Sequence, residues 1–257
     1  MKRYRAIAEY YDPESERLPM LQEDVPFLLK QLPKRPQQVL ELAVGTARAA
    51  IPIAQAGHRA VGVDYAPDML AIARRKRDAV GLSERQLSLV EADVLKLNLR
   101  QKFDCVVILF NTFLGFTTLE LQDRALTVVR KHLKPSGRFW LDIFNPDLSL
   151  LSHDRSHDLD ASVFHVPRYD RTVFRSVDVR RDMARQWMEV TFNYRWFEPS
   201  GRERREKTVF EMSVIYPREL RLLLERNGLL IEHLWGDYDG SPLSAHSPRM
   251  IAQCRIG

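Results

Sequence analysis

The sequence predicts an α/β protein of the doubly wound type, and three observations carry that prediction. From Val39 to Ile143 short apolar runs alternate with amphipathic stretches. The first run ends in a turn of small residues, Ala43-Val44-Gly45-Thr46-Ala47. The second ends on an acid, Asp64, which lies 19 residues beyond Gly45. Strand–helix alternation means a parallel sheet. A turn without bulky side chains lets a ligand come within van der Waals distance of the backbone amides. A carboxylate at the tip of the adjacent strand is placed to accept both hydroxyls of a ribose.

Taken in order, residues 4–11 and 20–32 have helical patterning, broken at Asp12-Pro13 and closed by Pro33 and Pro36. Residues 39–42 read as a buried strand, 47–56 as a helix, 60–64 as a strand and 67–80 as a helix. Pro67 at a helix start and Gly57 beyond a helix end sit where those residues are favoured. Strands are expected at 87–91 and 103–110, a helix at 119–132, a turn at Lys134-Pro135-Ser136-Gly137-Arg138 and a fifth strand at 139–143.

The pattern then changes. Residues 146–162 are polar and read as irregular, whereas 172–217 alternate with a period near two, as three or more antiparallel strands would. Turns are expected at Arg181-Asp182-Met183 and at Glu198-Pro199-Ser200-Gly201. Helical periodicity resumes at Glu219 and stops at Asn227-Gly228; 229–234 and 249–255 read as closing strands. The division is therefore capping helices over 1–36, a core of 37–145 with 216–257, and an inserted β-meander over 146–215.

A dinucleotide fits the first turn poorly, because Arg48 stands at the third glycine position of G-x-G-x-x-G and Glu41 would repel a pyrophosphate. An ammonium group suits Glu41. The segment 39–111 resembles the class I, Rossmann-like S-adenosylmethionine-dependent methyltransferases. Their acidic-x-Gly-x-Gly-x-Gly motif is matched by Glu41-Leu42-Ala43-Val44-Gly45-Thr46-Ala47, with alanine in place of two glycines. Alanine at such a turn position forces φ below zero or costs about 1 kcal/mol. A second motif is Val61-Gly62-Val63-Asp64-Tyr65-Ala66-Pro67-Asp68-Met69-Leu70, and the resemblance implies that Asp64 holds the ribose while Tyr65 and Met69 flank the adenine. In Glu91-Ala92-Asp93-Val94 it implies that Asp93 accepts from the adenine amino group and that Ala92 and Val94 line the ring. A fourth motif, Phe103 to Asn111, ends at Phe110 beside the reacting methyl. The implied fold is a seven-stranded sheet, six strands parallel and the last antiparallel, with the meander as a substrate lid. The implied donor is S-adenosylmethionine, leaving as S-adenosylhomocysteine.

Methyl transfer from positive sulfur needs positioning and exclusion of water more than a triad. Groups able to orient or deprotonate an acceptor are Tyr11, Asn111, Asp142, His165, Asp237, Tyr238 and His246; Tyr11 and Asn111 are the first choices, Tyr11 because Tyr10-Tyr11-Asp12 resembles the N-terminal gate of related enzymes. His153-Asp154-Arg155-Ser156-His157-Asp158 has no third ligand cluster nearby, so no metal is expected. The chain carries net charge +5, and residues 163–210 hold 11 Arg or Lys against 7 Asp or Glu. Acids interleaved among those bases argue against nucleic acid and fit a solvated sheet face or an anionic small substrate. An RNA-directed methyltransferase and a non-catalytic nucleoside-binding regulator are the alternatives to a small-molecule N- or O-methyltransferase. Two isolated cysteines, no signal-type apolar segment and no run of about 18 apolar residues point to a soluble cytoplasmic protein without a membrane partner, able to dimerise through the meander.

Overall fold

A computed structural model describes residues 7–257. Seven strands make the main sheet: β1 (Gln38–Leu42), β2 (Arg59–Asp64), β3 (Leu87–Glu91), β4 (Phe103–Ile108), β5 (Leu133–Phe144), β10 (Leu229–Trp235) and β11 (Arg249–Ile256). Their order is β10-β11-β5-β4-β1-β2-β3. All run parallel except β11, which is antiparallel to both its neighbours. Strand order reverses between β1 and β4, the place where doubly wound sheets open a crevice at their carboxyl ends. The strands are apolar on both faces because helices cover both, which is why they read as runs rather than alternations.

Helices α1 (Ala8–Ser15), α2 (Met20–Gln31), α3 (Ala50–Gln55), α4 (Pro67–Ala79) and α5 (Leu119–His132) surround the core, with α6 (Leu148–Leu151) and α7 (Pro217–Arg226) later in the chain. Thr118 caps α5 by accepting from the Leu121 amide at 3.3 Å, and Arg130, Lys131 and His132 occupy its last turn. Inside the core His132 is fully buried and neutral: Nδ1–H donates to the Val128 carbonyl at 2.7 Å, while Nε2 accepts from the Leu99 amide at 2.9 Å. Burial pushes its pKa below the ordinary histidine value.

A second, four-stranded antiparallel sheet holds β6 (Arg155–Val166), β7 (Arg171–Asp182), β8 (Trp187–Phe197) and β9 (Glu203–Ser213), in that order. The stretch expected to be irregular thus contains α6 and an edge strand. Its polar composition reflects solvent on an edge: β6 is bulged between Ser156 and Ser162, with Asp158 and Asp160 in the left-handed region.

Five local expectations change. The helix expected over 4–11 is Ala8–Ser15 among the described residues, its first positions lying outside them, and Asp12-Pro13 falls within it instead of breaking it. Tertiary bonds from Asp12, described below, offset the backbone bond that Pro13 removes. Helix α3 starts at Ala50 rather than 47, because Ala47 is left-handed. Lys134–Arg138 is no turn but a bulge in β5, where one partner step from Phe103 to Cys105 spans Leu133 to Arg138. Strand β4 stops at Ile108, and β7 continues through Asp182, so its turn lies at 183–186.

Candidate active site

The site begins at the carboxyl end of β1. Ala43, Gly45 and Ala47 are all left-handed, with φ of 59°, 54° and 61°. The two alanines therefore hold the conformation that glycine adopts freely, at a cost of about 1–2 kcal/mol each. The loop is bound to β2: the Val44 amide donates to the Val63 carbonyl at 2.9 Å and the Gly45 amide to Asp64 Oδ2 at 2.8 Å. Contact is so close that a Cβ on Gly62 would lie 2.6 Å from Val44 Cγ2. Asp64 Oδ1 accepts from the Ala66 amide at 2.9 Å. Burial raises the Asp64 pKa, opposed by the amides of Ala66, Gly45 and Tyr65. Three backbone amides thus converge on this one carboxylate at the tip of β2.

Glu41, on β1, is 6% exposed, and its Oε2 has no hydrogen-bond partner. Desolvation pushes its carboxyl up to about 8. Arg48 pulls the other way but is committed elsewhere: its two terminal nitrogens reach Asp24 Oδ1 at 2.8 Å and Oδ2 at 2.5 Å, and the Leu21 carbonyl at 3.2 Å. An orphaned carboxylate oxygen beside a loop of approachable amides is what a ligand ammonium satisfies.

Helix α1 lies across this loop. Asp12 Oδ1 accepts from the Thr46 hydroxyl at 2.6 Å and Oδ2 from Lys76 Nζ at 2.8 Å. Tyr11 packs against Ala8, Ala66, Met69 and Ile72, and its hydroxyl feels Arg48, Asp12 and Glu41, with burial raising its pKa most. On its other side α1 meets the inserted sheet: Glu14 pairs with Arg175 at 2.9 Å and accepts from the Tyr194 hydroxyl at 3.1 Å, and Tyr10 packs on Phe164, Tyr194 and Trp196. Neither Asp12 nor Arg48 was singled out as a site residue from the sequence, since their partners lie 24 to 64 positions away.

On the far side of β2, Tyr65 is 42% exposed, whereas Met69 is buried under α1. The Ala92 amide donates to the Asp64 carbonyl at 2.9 Å, which brings 92–94 to the tip of β2. Asp93 is exposed and caps the turn that follows by accepting from the Leu95 amide at 2.9 Å; Val94 is buried in the main core. Asp64, Tyr65, Ala92 and Asp93 thus come together at the tips of β2 and β3, with Gly45 of the β1 loop bonded to Asp64 and Tyr11 packed on Ala66 and Met69 just beyond.

At the end of β4 Phe110 and Asn111 are left-handed in succession, φ 46° and 63°. Asp142 holds them there: its Oδ2 accepts from the Phe110 amide at 3.1 Å and its carbonyl from the Asn111 amide at 3.0 Å. Asn111 Oδ1 in turn accepts from the Phe144 amide at 2.8 Å. The Asp142 carboxylate also takes Arg249 at 2.6 and 2.9 Å and the Tyr238 hydroxyl at 2.8 Å. Fully buried and fully engaged, Asp142 is a positioning residue, which corrects its expectation as an acceptor base. Tyr238 shares that correction, because burial and Asp142 hold its hydroxyl well above the ordinary tyrosine value. Asp237 accepts from its own neighbour's amide at 2.8 Å, and exposed His165 lies 3.6 Å from Asp170 beside the β6–β7 turn. His246 is exposed on a loop lining a cleft of about 1040 Å³ between the end of β5 and the inserted sheet.

Residues 39–137 match the family model described as a methyltransferase domain. A demethylmenaquinone methyltransferase of Thermus thermophilus is 41% identical over 118 residues, 45% of this chain and 50% of that one. A cypemycin N-terminal methyltransferase of a Streptomyces species is 28% identical over 213 residues, 83% of this chain and 80% of that one. The chain thus spans half the length of the first of these curated relatives. The CcbJ methyltransferase of Streptomyces caelestis has a solved structure similar over 98% of this chain and 96% of its own, with a TM-score of 0.80 at 24% identity. Residues 39–137 thus carry a methyltransferase domain, in a fold shared with a solved methyltransferase and with an antiparallel sheet inserted after β5.

Proposed function

We propose that this chain transfers a methyl group from S-adenosylmethionine to an amine or hydroxyl of a small molecule. The observation that carries the reading is the unpartnered Oε2 of Glu41 beside the left-handed loop, whose Gly45 amide is tied to the buried carboxylate of Asp64 at the tip of β2. Glu41 would hold the donor's ammonium and the amides of 43–47 its carboxylate end. Asp64 would take the ribose diol; Tyr65, Met69, Ala92, Asp93 and Val94 would enclose and read the adenine. The donor supplies an electrophilic methyl that leaves positive sulfur by in-line displacement.

The protein's own part is to orient the acceptor and keep water out. Tyr11 stays protonated at neutral pH because its pKa is raised, so its hydroxyl orients an acceptor lone pair rather than removing a proton. Asn111, fixed by Phe144 and Asp142, sets the position of Phe110 at the reacting end of β4. Because the Asp142 carboxylate at that end is fully engaged, an amine attacking as its free base suits the site better than a hydroxyl. The inserted sheet would serve as the substrate lid of residues 146–215, over a core of 37–145 with 216–257 and N-terminal capping helices within 1–36, and would provide the surface for a homodimer, which light scattering tests.

The relatives are named for different acceptors, so the acceptor's class has to come from this chain. An RNA acceptor is disfavoured because about half of the basic side chains of the inserted sheet are paired with acids, among them Arg195 and Arg205 with Glu203, Arg204 with Glu198 and Arg175 with Glu14. The non-catalytic alternative rested on the two alanines, which keep the loop's left-handed form. No helix among the described residues is long and apolar enough to cross a membrane.

Titration calorimetry with S-adenosylmethionine, S-adenosylhomocysteine and NAD tests the reading. Binding of the first two and not of NAD is expected; NAD binding in preference overturns it. Turnover is then sought by mass spectrometry of candidate amines and hydroxyls incubated with donor.

A further inference from the structure

Four arginines are buried among the described residues. Arg77 pairs with Asp78 and Glu84, Arg175 with Glu14 and Asp160, and Arg249 with Asp142. Arg181, 7% exposed, pairs with no carboxylate among the described residues. One terminal nitrogen donates to the His153 carbonyl at 3.1 Å and to Ser156 Oγ at 2.8 Å, while its buried Nε has no partner. An arginine keeps its charge at any physiological pH, so burial without a counter-ion is costly unless something else supplies the anion.

The side chain lines the 1040 Å³ cleft beneath the inserted sheet. Strand parity places it there: the face that buries Val177 and Val179 on β7 continues to Arg181, and Met188 and Val190 of β8 line the same cleft. Opposite them stand Leu148 and Leu150, 68% and 54% exposed, and Phe144, whose amide Asn111 holds. The cleft therefore starts at Phe144, whose amide is tied to Asn111 just beyond β4, and reaches a lone buried cation through largely apolar walls. Its size suits a drug-sized small molecule.

We infer that this cleft is the acceptor site and that the acceptor is an amphipathic small-molecule anion, its apolar body against Val179, Met188 and Leu148 and its carboxylate or phosphate on Arg181. The inference rests on the methyltransferase reading for the word acceptor; the anion site itself stands on Arg181 and the cleft. A planar guanidinium with an unused Nε–H is suited to a forked bond from either kind of oxyanion.

The test uses the full chain, without donor, titrated with hexanoate, hexyl phosphate, hexanamide and inorganic phosphate, followed by the Nε–Hε signal of Arg181 in an arginine-Nε NMR spectrum and by calorimetry. One or both hexyl anions should shift that signal and bind about tenfold to a hundredfold more tightly than hexanamide, as a charged hydrogen bond implies. Which of the two binds better separates a carboxylate from a phosphate acceptor, and binding of inorganic phosphate as tight as the better anion would overturn the apolar half of the inference. Arg181→Met should remove the preference for anion over amide while melting no lower than wild type, since it relieves an unpaired buried charge; Arg181→Lys should keep the preference in part. Equal binding of anion and amide by the wild type, or an undiminished preference in R181M, overturns the inference. So does R181M melting well below wild type with anion binding absent from both proteins, which would make Arg181 a purely structural tie to His153 and Ser156. Donor binding is measured separately: donor bound without anion preference leaves the methyltransferase reading standing and removes this one, whereas anion preference without donor binding removes the methyltransferase reading and leaves only the anion site.

Discussion

Donor affinity should fall as the solution is made more acidic, because Glu41 has to lose a proton to receive an ammonium. Its carboxyl is pushed up to about 8 by burial, against the pull of Arg48, which is bonded to Asp24. At pH 7 about nine-tenths of the free protein would carry the proton, and removing it costs about 1.4 kcal/mol. A bound cation stabilises the carboxylate, so binding at pH 7 should release about 0.9 proton, and affinity should drop about tenfold between pH 7 and pH 6. Working below about pH 7.5 keeps the ligand's own amino group largely protonated. Calorimetry of S-adenosylhomocysteine in two buffers of different ionisation enthalpy reads both quantities, and Glu41→Gln should abolish the proton release and flatten the slope. The free protein supplies a second readout. A folded pKa raised above the unfolded value of 4.5 gives stability that is complete below about pH 4.5 and is lost as pH rises through about 8. The melting-temperature gain on adding ligand should accordingly grow with pH. A flat affinity between pH 6 and 7.5 with no proton released would mean that Arg48 already keeps Glu41 ionised, and the assignment of an orphaned, protonated carboxyl would be wrong.

Three further outcomes are expected. Ala43→Gly should stabilise the fold by about 1 kcal/mol in denaturant melts by relieving a left-handed alanine, and Ala47→Gly by less, since the Ala47 methyl is fully buried and its loss costs about 0.8 kcal/mol; destabilisation by Ala43→Gly would contradict the loop geometry. Asp64→Ala should weaken donor binding by about 1–3 kcal/mol in calorimetry, and unchanged affinity would remove Asp64 as the ribose ligand. Asp142→Ala strands Arg249 in the core and should cost about 3–5 kcal/mol of stability in denaturant unfolding, with Arg249→Met much less harmful.

Much of the main sheet was legible because its signals are local. Strand β3 and helix α5 have the bounds that the apolar pattern places, and the sheet has the expected six parallel strands and one antiparallel strand. Misreadings cluster where one composition serves two structures. Pro135-Ser136-Gly137 makes a bulge as readily as a turn, and the polar run at 155–162 is an edge strand whose faces meet solvent. Pro13 marks a helix end in isolation, yet the bond that holds its helix in place comes from Thr46.

The site divides along the same line. Glu41, Gly45 and Asp64 stand out in sequence because close backbone approach and a strand-end acid constrain residue type within a few positions. What sets their chemistry does not, since it comes from residues far apart in the chain. Burial raises the Glu41 carboxyl while Asp24 engages Arg48 beside it, and Asp142 is excluded as a base because Arg249 and Tyr238 occupy it. Arg181 is the complementary case. Parity along β7 predicts an apolar residue there, as at Val177 and Val179, and the sequence supplies a cation. Such a break in pattern is informative only when the partner is known, because Arg175 breaks it equally and is neutralised by Glu14 and Asp160. The same residue type on the same strand face is thus a structural tie in one place and an open charge in the other, and the difference lies entirely in which carboxylates the fold delivers.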